Sequence, residues 1–230
     1  MTASVPSAIT IDGPAAAGKS VLGEKLAQRL DYLYFDTGVM YRAITWLALQ
    51  RQIDVADEVA LTRLAETVRI GVARPEVDDG RQYTVSVDSL DITWEIRRPE
   101  VDQNVSAVSA YEGVRRAMAA QQRAIGIRGQ VVMVGRDIGT VVLPEADLKL
   151  YLTASPEERA RRRWKEIQAR GQEAGYQQVL EDMRRRDKID SEREIAPLRP
   201  AADAVVINND HLTVEEEVRL VERLILNQAV

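Results

Sequence analysis

The chain has 230 residues and a formal net charge of -5, with 45% hydrophobic and 29% charged residues, so it is expected to fold as one large domain with a substantial core. An acidic chain without cysteine excludes a disulfide framework, a thiolate nucleophile and a surface devoted as a whole to nucleic acid or anionic membrane. Because the N-terminus lacks a secretory pattern and no apolar run approaches the about 20 residues that span a bilayer, we expect a cytoplasmic protein without a membrane partner.

The first element in chain order is a β-rich run at residues 8–11, which a glycine-rich loop follows at residues 13–20. Apolar residues at helical spacing come next, between residues 21 and 30. Strand, glycine loop and helix form the order of a P-loop, whose backbone amides surround phosphate oxygens. We therefore predict that a nucleoside triphosphate binds through Gly13, Pro14, Ala15, Ala16, Ala17, Gly18, Lys19, Ser20 and Val21. In such a loop Lys19 reaches the terminal phosphates and the Ser20 hydroxyl ligates Mg²⁺.

Strands and helices alternate along much of the remaining chain. Further strands of the main sheet are predicted at residues 32–35, 131–134, 148–152 and 204–207, and helices at residues 40–51, 59–69, 104–125 and 213–226. This alternation predicts a parallel sheet with helices on both faces. The polar loops that hold Asp36 and residues 135–137 would lie beside the glycine loop if their strands are neighbours.

The rhythm changes in the middle of the chain. Short alternating runs at residues 68–72, 83–87 and 90–94 predict a small antiparallel sheet, with a turn at residues 78–80. An insert of this kind inside an α/β chain either covers a site or partner surface or is a plain decorative hairpin.

Residues 155–187 are dense in arginine. Ser155, Pro156 and Glu158 predict a helix start with an N-cap, a proline at the first position and a capping-box acid, and Thr213 with Glu216 repeats the box before the last helix. The basic residues form two clusters, Arg159, Arg161, Arg162, Arg163 and Lys165, then Arg184, Arg185, Arg186 and Lys188. Two solvated helix faces, an RNA-binding patch or a lid that closes over phosphates would each explain them. The P-loop and a segment at residues 169–175 that we expect to be flexible favour the lid.

These patterns predict a single α/β domain over residues 1–230. Its parts are a P-loop NTPase core with a five-stranded parallel sheet flanked by helices, a small antiparallel β insert and a short arginine-rich helical lid.

Four motifs combine into a larger pattern. They are Ile11-Asp12-Gly13-Pro14 with Gly18-Lys19-Ser20, then Asp36-Thr37-Gly38 with Met40-Tyr41-Arg42, then residues 135–142, and last Arg186-Asp187 followed by Asp190, Arg193 and residues 196–198. In this order and at this spacing they resemble the bacterial cytidylate kinases of the longer type, which carry an insert in the region that binds the nucleoside monophosphate. The resemblance covers about residues 9–206.

The resemblance implies Mg²⁺-dependent transfer of the ATP γ-phosphate to CMP or dCMP. It assigns the acceptor phosphate to Thr37 and Arg42 and the acceptor ribose to Asp137, with Thr37 standing where we expect serine. The residues that it assigns to cytosine are Ser106, Arg115, Asp190 and Arg193. A carboxylate next to an arginine suits the edge of cytosine, which offers one donor beside two acceptors.

On the donor side, the resemblance makes Arg186 a bridge between the phosphates and, with Lys19, a catalytic residue. Arg159 and Arg162 are expected to contact the ATP phosphates. Ser20 is the predicted metal ligand, and Asp137 or Asp36 would hold Mg²⁺ through water. The family pattern also implies a monomer, a monophosphate-binding lobe at about residues 37–115 and a lid at about residues 155–187.

Two other functions remain open at this point. One is a P-loop kinase for another small acceptor such as UMP, AMP or a non-nucleotide acid. The other is a nucleotide-gated switch, either a GTPase or an ATPase associated with nucleic acid. The segment at residues 208–210 lacks the lysine of a guanine-reading loop, and the basic excess is confined to the expected lid, so we expect no nucleic-acid partner.

Overall fold

The structure is a computed structural model that describes residues 5–169, 171 and 173–228. Strands and helices alternate in it as the sequence predicts. The strands are β1 (Ala8–Asp12), β2 (Leu33–Asp36), β3 (Ile70–Ala73), β4 (Thr84–Val87), β5 (Leu90–Asp91), β6 (Val131–Val134), β7 (Leu148–Thr153) and β8 (Val205–Asn208). The helices are α1 (Lys19–Leu30), α2 (Gly38–Gln50), α3 (Glu58–Thr67), α4 (Pro99–Val108), α5 (Glu112–Gly126), α6 (Pro156–Ala169), α7 (Tyr176–Glu192) and α8 (Val214–Gln228).

Five of the strands form one parallel sheet in the order β2-β6-β1-β7-β8. The predicted fold class is therefore confirmed, and β1 lies at the centre of the sheet. Because β2 and β6 are neighbours and β6 pairs with β1, the loops after these three strands meet at one edge. Asp36, residues 135–137 and the phosphate loop lie together there, as expected.

The central strands are buried because both of their faces are covered. All four residues of β6 are buried, and they are apolar, as expected for a parallel strand between helical layers. The helix after the phosphate loop lies close against the sheet at Gly23, where a β-carbon would be only 2.6 Å from a methyl group of Val134. Glycine at this position lets α1 begin directly above the site edge.

The insert is a three-stranded antiparallel sheet in the order β3-β4-β5, but its last strand is shorter than predicted. The pattern at residues 90–94 predicts five residues, whereas β5 contains Leu90 and Asp91 alone. The Asp91 carboxylate accepts hydrogen bonds from the backbone N–H and the hydroxyl of Thr93, at 2.9 and 2.6 Å. This side-chain turn ends the strand, and a 3₁₀ turn over Glu95–Arg97 follows.

The single helix predicted at residues 104–125 is wrong, because the structure has two helices there. The chain leaves helical geometry at Tyr111, whose backbone is extended, and α5 begins at Glu112. Gly113 then packs against Thr62 of α3 so closely that a β-carbon would lie 2.3 Å from its methyl carbon. The break lets α5 turn onto α3, a tertiary contact that apolar spacing does not reveal.

The arginine-rich helices α6 and α7 pack on each other through a small apolar cluster of their own, which includes Ala160, Leu180 and Met183. Ala15 and Ala16 of the phosphate loop pack against the same cluster, so this helix pair lies directly over the loop. Parts of the connection expected to be flexible, at residues 170 and 172, lie outside the described residues.

The two predicted capping boxes differ. Thr213 and Glu216 form the complete reciprocal box at the start of α8. At α6 the Ser155 hydroxyl accepts from the Glu158 amide at 3.3 Å, but Ser155 N–H donates to Asp210 instead of to Glu158. The second half of that predicted box is therefore wrong. None of the helices within the described residues is long and apolar enough to cross a membrane.

Candidate active site

The phosphate loop connects β1 to α1 through backbone geometry that favours glycine. Gly13 has a φ of 148°, and a β-carbon there would lie 2.0 Å from the Leu152 carbonyl oxygen. Gly18, with a φ of 90°, immediately precedes the helix. The first amides of α1 have no partner within the helix and carry the positive end of its dipole, so this end of α1 favours an anion.

Lys19 is buried at the base of the loop, with 8% of its surface exposed. Its Nζ donates to the Pro14 carbonyl oxygen at 2.6 Å. Desolvation, followed by repulsion from Arg136, lowers the pKa of Lys19 to about 7. A buried amine held this way would regain its full charge beside a phosphate.

Two arginines act electrostatically on Lys19. Arg136, at the end of β6, and Arg186, on α7, both repel Lys19 and lower its pKa. Arg186 is exposed in this structure, yet desolvation and then repulsion from Arg136 lower its pKa as well. Asp190 offsets part of this repulsion, since it accepts from Arg136 Nε at 2.6 Å and its charge acts to raise the pKa of Arg186, and a bound polyphosphate would offset more of it.

Oxygen donors suited to Mg²⁺ lie beside this cluster. The Ser20 hydroxyl is 3.5 Å from the Oδ2 atom of Asp36, and Asp36 Oδ1 accepts from the Gly38 amide at 2.9 Å. Hydroxyl and carboxylate oxygens are the donors that Mg²⁺ prefers, usually one or two of them together with phosphate oxygens and water. The residues present therefore fit Mg²⁺. No trio of acidic, histidine or cysteine side chains that could hold a metal occurs within the described residues.

A network of arginine and aspartate lies next to the cations. Asp137 accepts from Arg115 Nη2 at 2.8 Å, and Arg193 Nη2 lies 3.9 Å from its other oxygen. Asp190 accepts from Arg136 Nε at 2.6 Å and lies 3.9 Å from Arg193. Buried Arg115 Nε and Arg193 Nη2 have no hydrogen-bond partner among the described residues. Because buried donors normally have an acceptor, these two are candidates to bind one on a ligand.

The residues predicted for the acceptor phosphate have hydrogen-bond or ion-pair partners within the protein. The Thr37 hydroxyl donates to the Val134 carbonyl oxygen at 3.0 Å, at the end of β6. Arg42 on α2 pairs with Asp102 at 2.5 Å and donates to Ile96. Ser106, predicted for cytosine, is exposed on α4, and its carbonyl accepts from the Ser109 hydroxyl. Arg115 Nη1 donates to the Ser109 carbonyl, which connects the end of α4 to the network.

The two arginines predicted to contact ATP bind the protein itself in this structure. Arg159 donates to both carboxylate oxygens of Asp187, at 3.0 and 2.5 Å, and to the Ala15 carbonyl at 3.2 Å. Arg162 pairs with Glu158 and donates to the side chain and carbonyl of Asn209. Both therefore lie beside the phosphate loop, tied to carboxylates of the arginine-rich helices.

The sequence assigned no site role to three further residues of this edge. Asp12 lies in the motif that begins the phosphate loop, and Arg136 lies in the motif at residues 135–142. A charge in an otherwise apolar or glycine-rich stretch is the signal that could have identified them. Asn209 was considered as part of a possible guanine-reading segment. The structure shows it buried, with Nδ2 donating to the Ala17 carbonyl at 2.9 Å and to Glu217 at 2.8 Å. It thus joins the phosphate loop to α8.

The parallel sheet and the phosphate loop after its central strand define this protein as a P-loop kinase in fold. The structure is similar to the shikimate kinase of Acinetobacter baumannii, with a TM-score of 0.51 at 15% identity over 99% of this chain and 97% of that one. It is also similar to the shikimate kinase of Bacteroides thetaiotaomicron, with a TM-score of 0.50 at 13% identity over 95% and 97% of the two chains. Identities this low show the fold alone.

The family follows from the sequence matches. The model of the cytidylate kinase family matches residues 9–227, and the chain belongs to that family. It is 54% identical to the cytidylate kinase of Chloroflexus aggregans over 217 residues, which cover 94% of this chain and 93% of that protein. The cytidylate kinase of Bacillus velezensis is 47% identical over 208 residues, or 90% and 91% of the two chains. The resemblance stated from the motifs is confirmed.

Proposed function

We propose that this protein transfers the γ-phosphate of ATP to the 5′-phosphate of CMP or dCMP, giving ADP and the nucleoside diphosphate. The phosphate loop carries the proposal, with Lys19 at its base and Arg136 and Arg186 acting electrostatically on that amine. Phosphoryl transfer needs positioning and neutralisation of the charge on the transferred oxygens rather than a covalent catalyst. Lys19, Arg136 and Arg186 lie next to the network of Asp137 and Asp190 with their arginine partners, and this arrangement suits a phosphate that is transferred between two nucleotides.

On the donor side, the phosphate loop and Lys19 bind the triphosphate, with Arg186 reaching across from α7. Ser20 would hold Mg²⁺ directly, with Asp36 or Asp137 acting through water. When bound, the metal neutralises phosphate charge and orients the β- and γ-phosphates. Arg159 and Arg162 would contact ATP after exchanging their present carboxylate partners for phosphate oxygens.

On the acceptor side, Thr37 and Arg42 bind the monophosphate, and Asp137 binds the ribose. Ser106, Arg115, Asp190 and Arg193 bind cytosine. Arg115 Nε and Arg193 Nη2, which are buried and have no hydrogen-bond acceptor in the described part of the chain, support an acceptor site here, since cytosine offers the O2 and N3 acceptors. Asp190 supplies the complementary acceptor for the amino group of cytosine.

Closure of the lid over the phosphate loop excludes water from the reacting phosphates. Helices α6 and α7 of the proposed lid, about residues 155–187, pack on Ala15 and Ala16 of the phosphate loop. The proposed monophosphate lobe comprises about residues 37–115. A closed lid brings Arg186 to the phosphates and keeps water from replacing the acceptor. We propose that the protein acts as a cytoplasmic monomer.

The test is ADP release from ATP and Mg²⁺ with CMP, dCMP, UMP, AMP or no acceptor in parallel. We expect turnover that requires CMP or dCMP. Faster turnover with UMP or AMP than with CMP and dCMP would overturn the acceptor assignment.

An Arg186→Ala protein that folds is expected to lose turnover by about 10³-fold, the effect of a residue that neutralises transition-state charge.

A further inference from the structure

We propose that Asp12 is a positioning residue for the acceptor, acting through the backbone that carries Arg136 and Asp137. This inference rests on the proposed function and adds a residue to it. Asp12 is the last residue of β1 and directly precedes Gly13 of the phosphate loop. It is buried, with 5% of its surface exposed, and has no assigned contact with either nucleotide.

Both carboxylate oxygens of Asp12 are used in one clamp. Oδ1 accepts from the Ile138 amide at 2.9 Å, and Oδ2 accepts from the Gly139 amide at 2.7 Å. These two amides begin the π-helical turn Ile138–Val142, which follows β6 and Asp137. The bonds connect positions 126 and 127 residues apart in the chain, so they join two separate loops of the site edge.

The clamp acts on the residues that would meet the acceptor. Asp137 has a φ of -141° and a ψ of 23°, which is neither strand nor helix geometry. The two amides that Asp12 binds belong to the next two residues in the chain, Ile138 and Gly139. Gly139 packs tightly, because a β-carbon there would lie 3.1 Å from the Thr10 hydroxyl. Fixing the turn therefore fixes the direction of the Asp137 carboxylate and, one residue earlier, of Arg136.

Because Asp12 and Gly13 are consecutive, the same carboxylate also sets the distance between the donor loop and the acceptor network. A displacement of about 1 Å between reacting groups costs on the order of a hundredfold in rate. A buried carboxylate is an expensive way to stabilise a turn when neutral groups could do so, and burial raises the pKa of Asp12 to about 6. Such a cost is typical of sites that are shaped for function.

The test compares Asp12→Asn with Asp147→Asn. The amide keeps the shape of Asp12 but has one acceptor oxygen, so one clamp bond is replaced by two opposed N–H groups. Asp147 is the control, because its carboxylate likewise accepts from a backbone amide, that of Ala8 at 2.9 Å, but at the opposite end of β1. For Asp12→Asn we expect kcat to fall by on the order of a hundredfold, because the reacting groups are displaced, and the KM for CMP to rise by about tenfold or more, with the KM for ATP changed by less than about twofold.

Asp147→Asn is expected to leave both KM values unchanged. Equal rises in the two KM values of Asp12→Asn, or no rise for CMP, would overturn the proposal. Hydrogen exchange on the unmodified protein keeps it testable if Asp12→Asn does not fold. The amides of Ile138 and Gly139 must be strongly protected without nucleotide, and fast exchange there would overturn the clamp. If the unmodified protein does not phosphorylate CMP, the proposed function fails, whereas the exchange result still decides on the clamp.

Discussion

Arg115 Nη2 donates to Asp137 Oδ2 over 2.8 Å and joins the first turn of α5 to the end of β6. Both side chains are largely buried, with 10% and 14% of their surfaces exposed. This ion pair connects the expected monophosphate lobe to the core of the kinase. It also holds Asp137 where the resemblance assigns the acceptor ribose.

Replacing one partner of this pair should destabilise the protein. Asp137→Leu leaves Arg115 charged and buried, so we expect the free energy of unfolding to fall by about 3 kcal/mol. Adding Arg115→Met removes the stranded charge and should recover most of that loss, while CMP turnover stays absent in both proteins. Denaturant unfolding and steady-state rates measure the two effects. A double variant as unstable as the single one would contradict this description of the pair.

Binding of ATP should draw a proton onto Lys19. At pH 8 the amine is mostly neutral, because its lowered pKa of about 7 lies below the solution pH. Phosphate oxygens raise the pKa towards its ordinary value, so nearly one proton is taken up on binding. Calorimetry in buffers of different ionisation enthalpy measures the uptake as a slope. Lys19→Met should bring the slope towards zero, and a zero slope in the unmodified protein would contradict the prediction.

Asn209 should support ATP binding without touching the reacting phosphates. Asn209→Ala removes the donor to the Ala17 carbonyl, an acceptor for Arg162, and the donor to buried Glu217, whose pKa desolvation raises. We expect a loss of about 1–3 kcal/mol in stability and a higher KM for ATP than for the unmodified protein. Asn208→Ala is the control, since Asn208 is exposed and its side chain hydrogen-bonds to the amide and the carboxylate of Asp210. Equal changes in the two variants would refute the role of Asn209.

The phosphate loop should tolerate no side chain at Gly13. In Gly13→Ala the new β-carbon would meet the Leu152 carbonyl oxygen at 2.0 Å, and we expect a stability loss of at least about 3 kcal/mol together with loss of ATP binding. Gly80→Ala separates sterics from backbone strain, because Gly80 has a φ of 84° but no atom within 4 Å of its β-carbon position. Its loss should be about 1 kcal/mol. Similar melting temperatures for the two variants would show that the contact with Leu152 does not matter.

Elements whose signal lies in consecutive residues were predicted correctly from the sequence. The glycine loop and the all-apolar β6 are read from consecutive residues, and both are present in the structure. The break before α5 was missed because a tertiary contact causes it, whereas the end of β5 was missed because the local side-chain turn at Asp91 was not recognised. The Asp91 carboxylate accepts a hydrogen bond from the Thr93 hydroxyl, and Gly113 packs closely against Thr62 of α3.

The site divides in the same way. Lys19 and Ser20 follow from the spacing of the phosphate loop, whereas the density of arginine in α6 does not say which carboxylate each one meets. Arg159 faces Asp187, which is 28 residues away. Asp12 is visible as an acid between apolar Ile11 and Gly13, but its partners come from the loop after another strand. Sequence alone does not give the strand order that brings them together.

The fate of the γ-phosphate tests the proposed transfer from ATP to CMP directly. ³¹P NMR of the protein with ATP, Mg²⁺ and CMP should show ADP and CDP growing in equal amounts, with no inorganic phosphate beyond the background. Omitting CMP should leave ATP intact. Release of inorganic phosphate at the same rate with and without CMP would contradict transfer to CMP, because it would make the protein a nucleotide hydrolase and not a transferase.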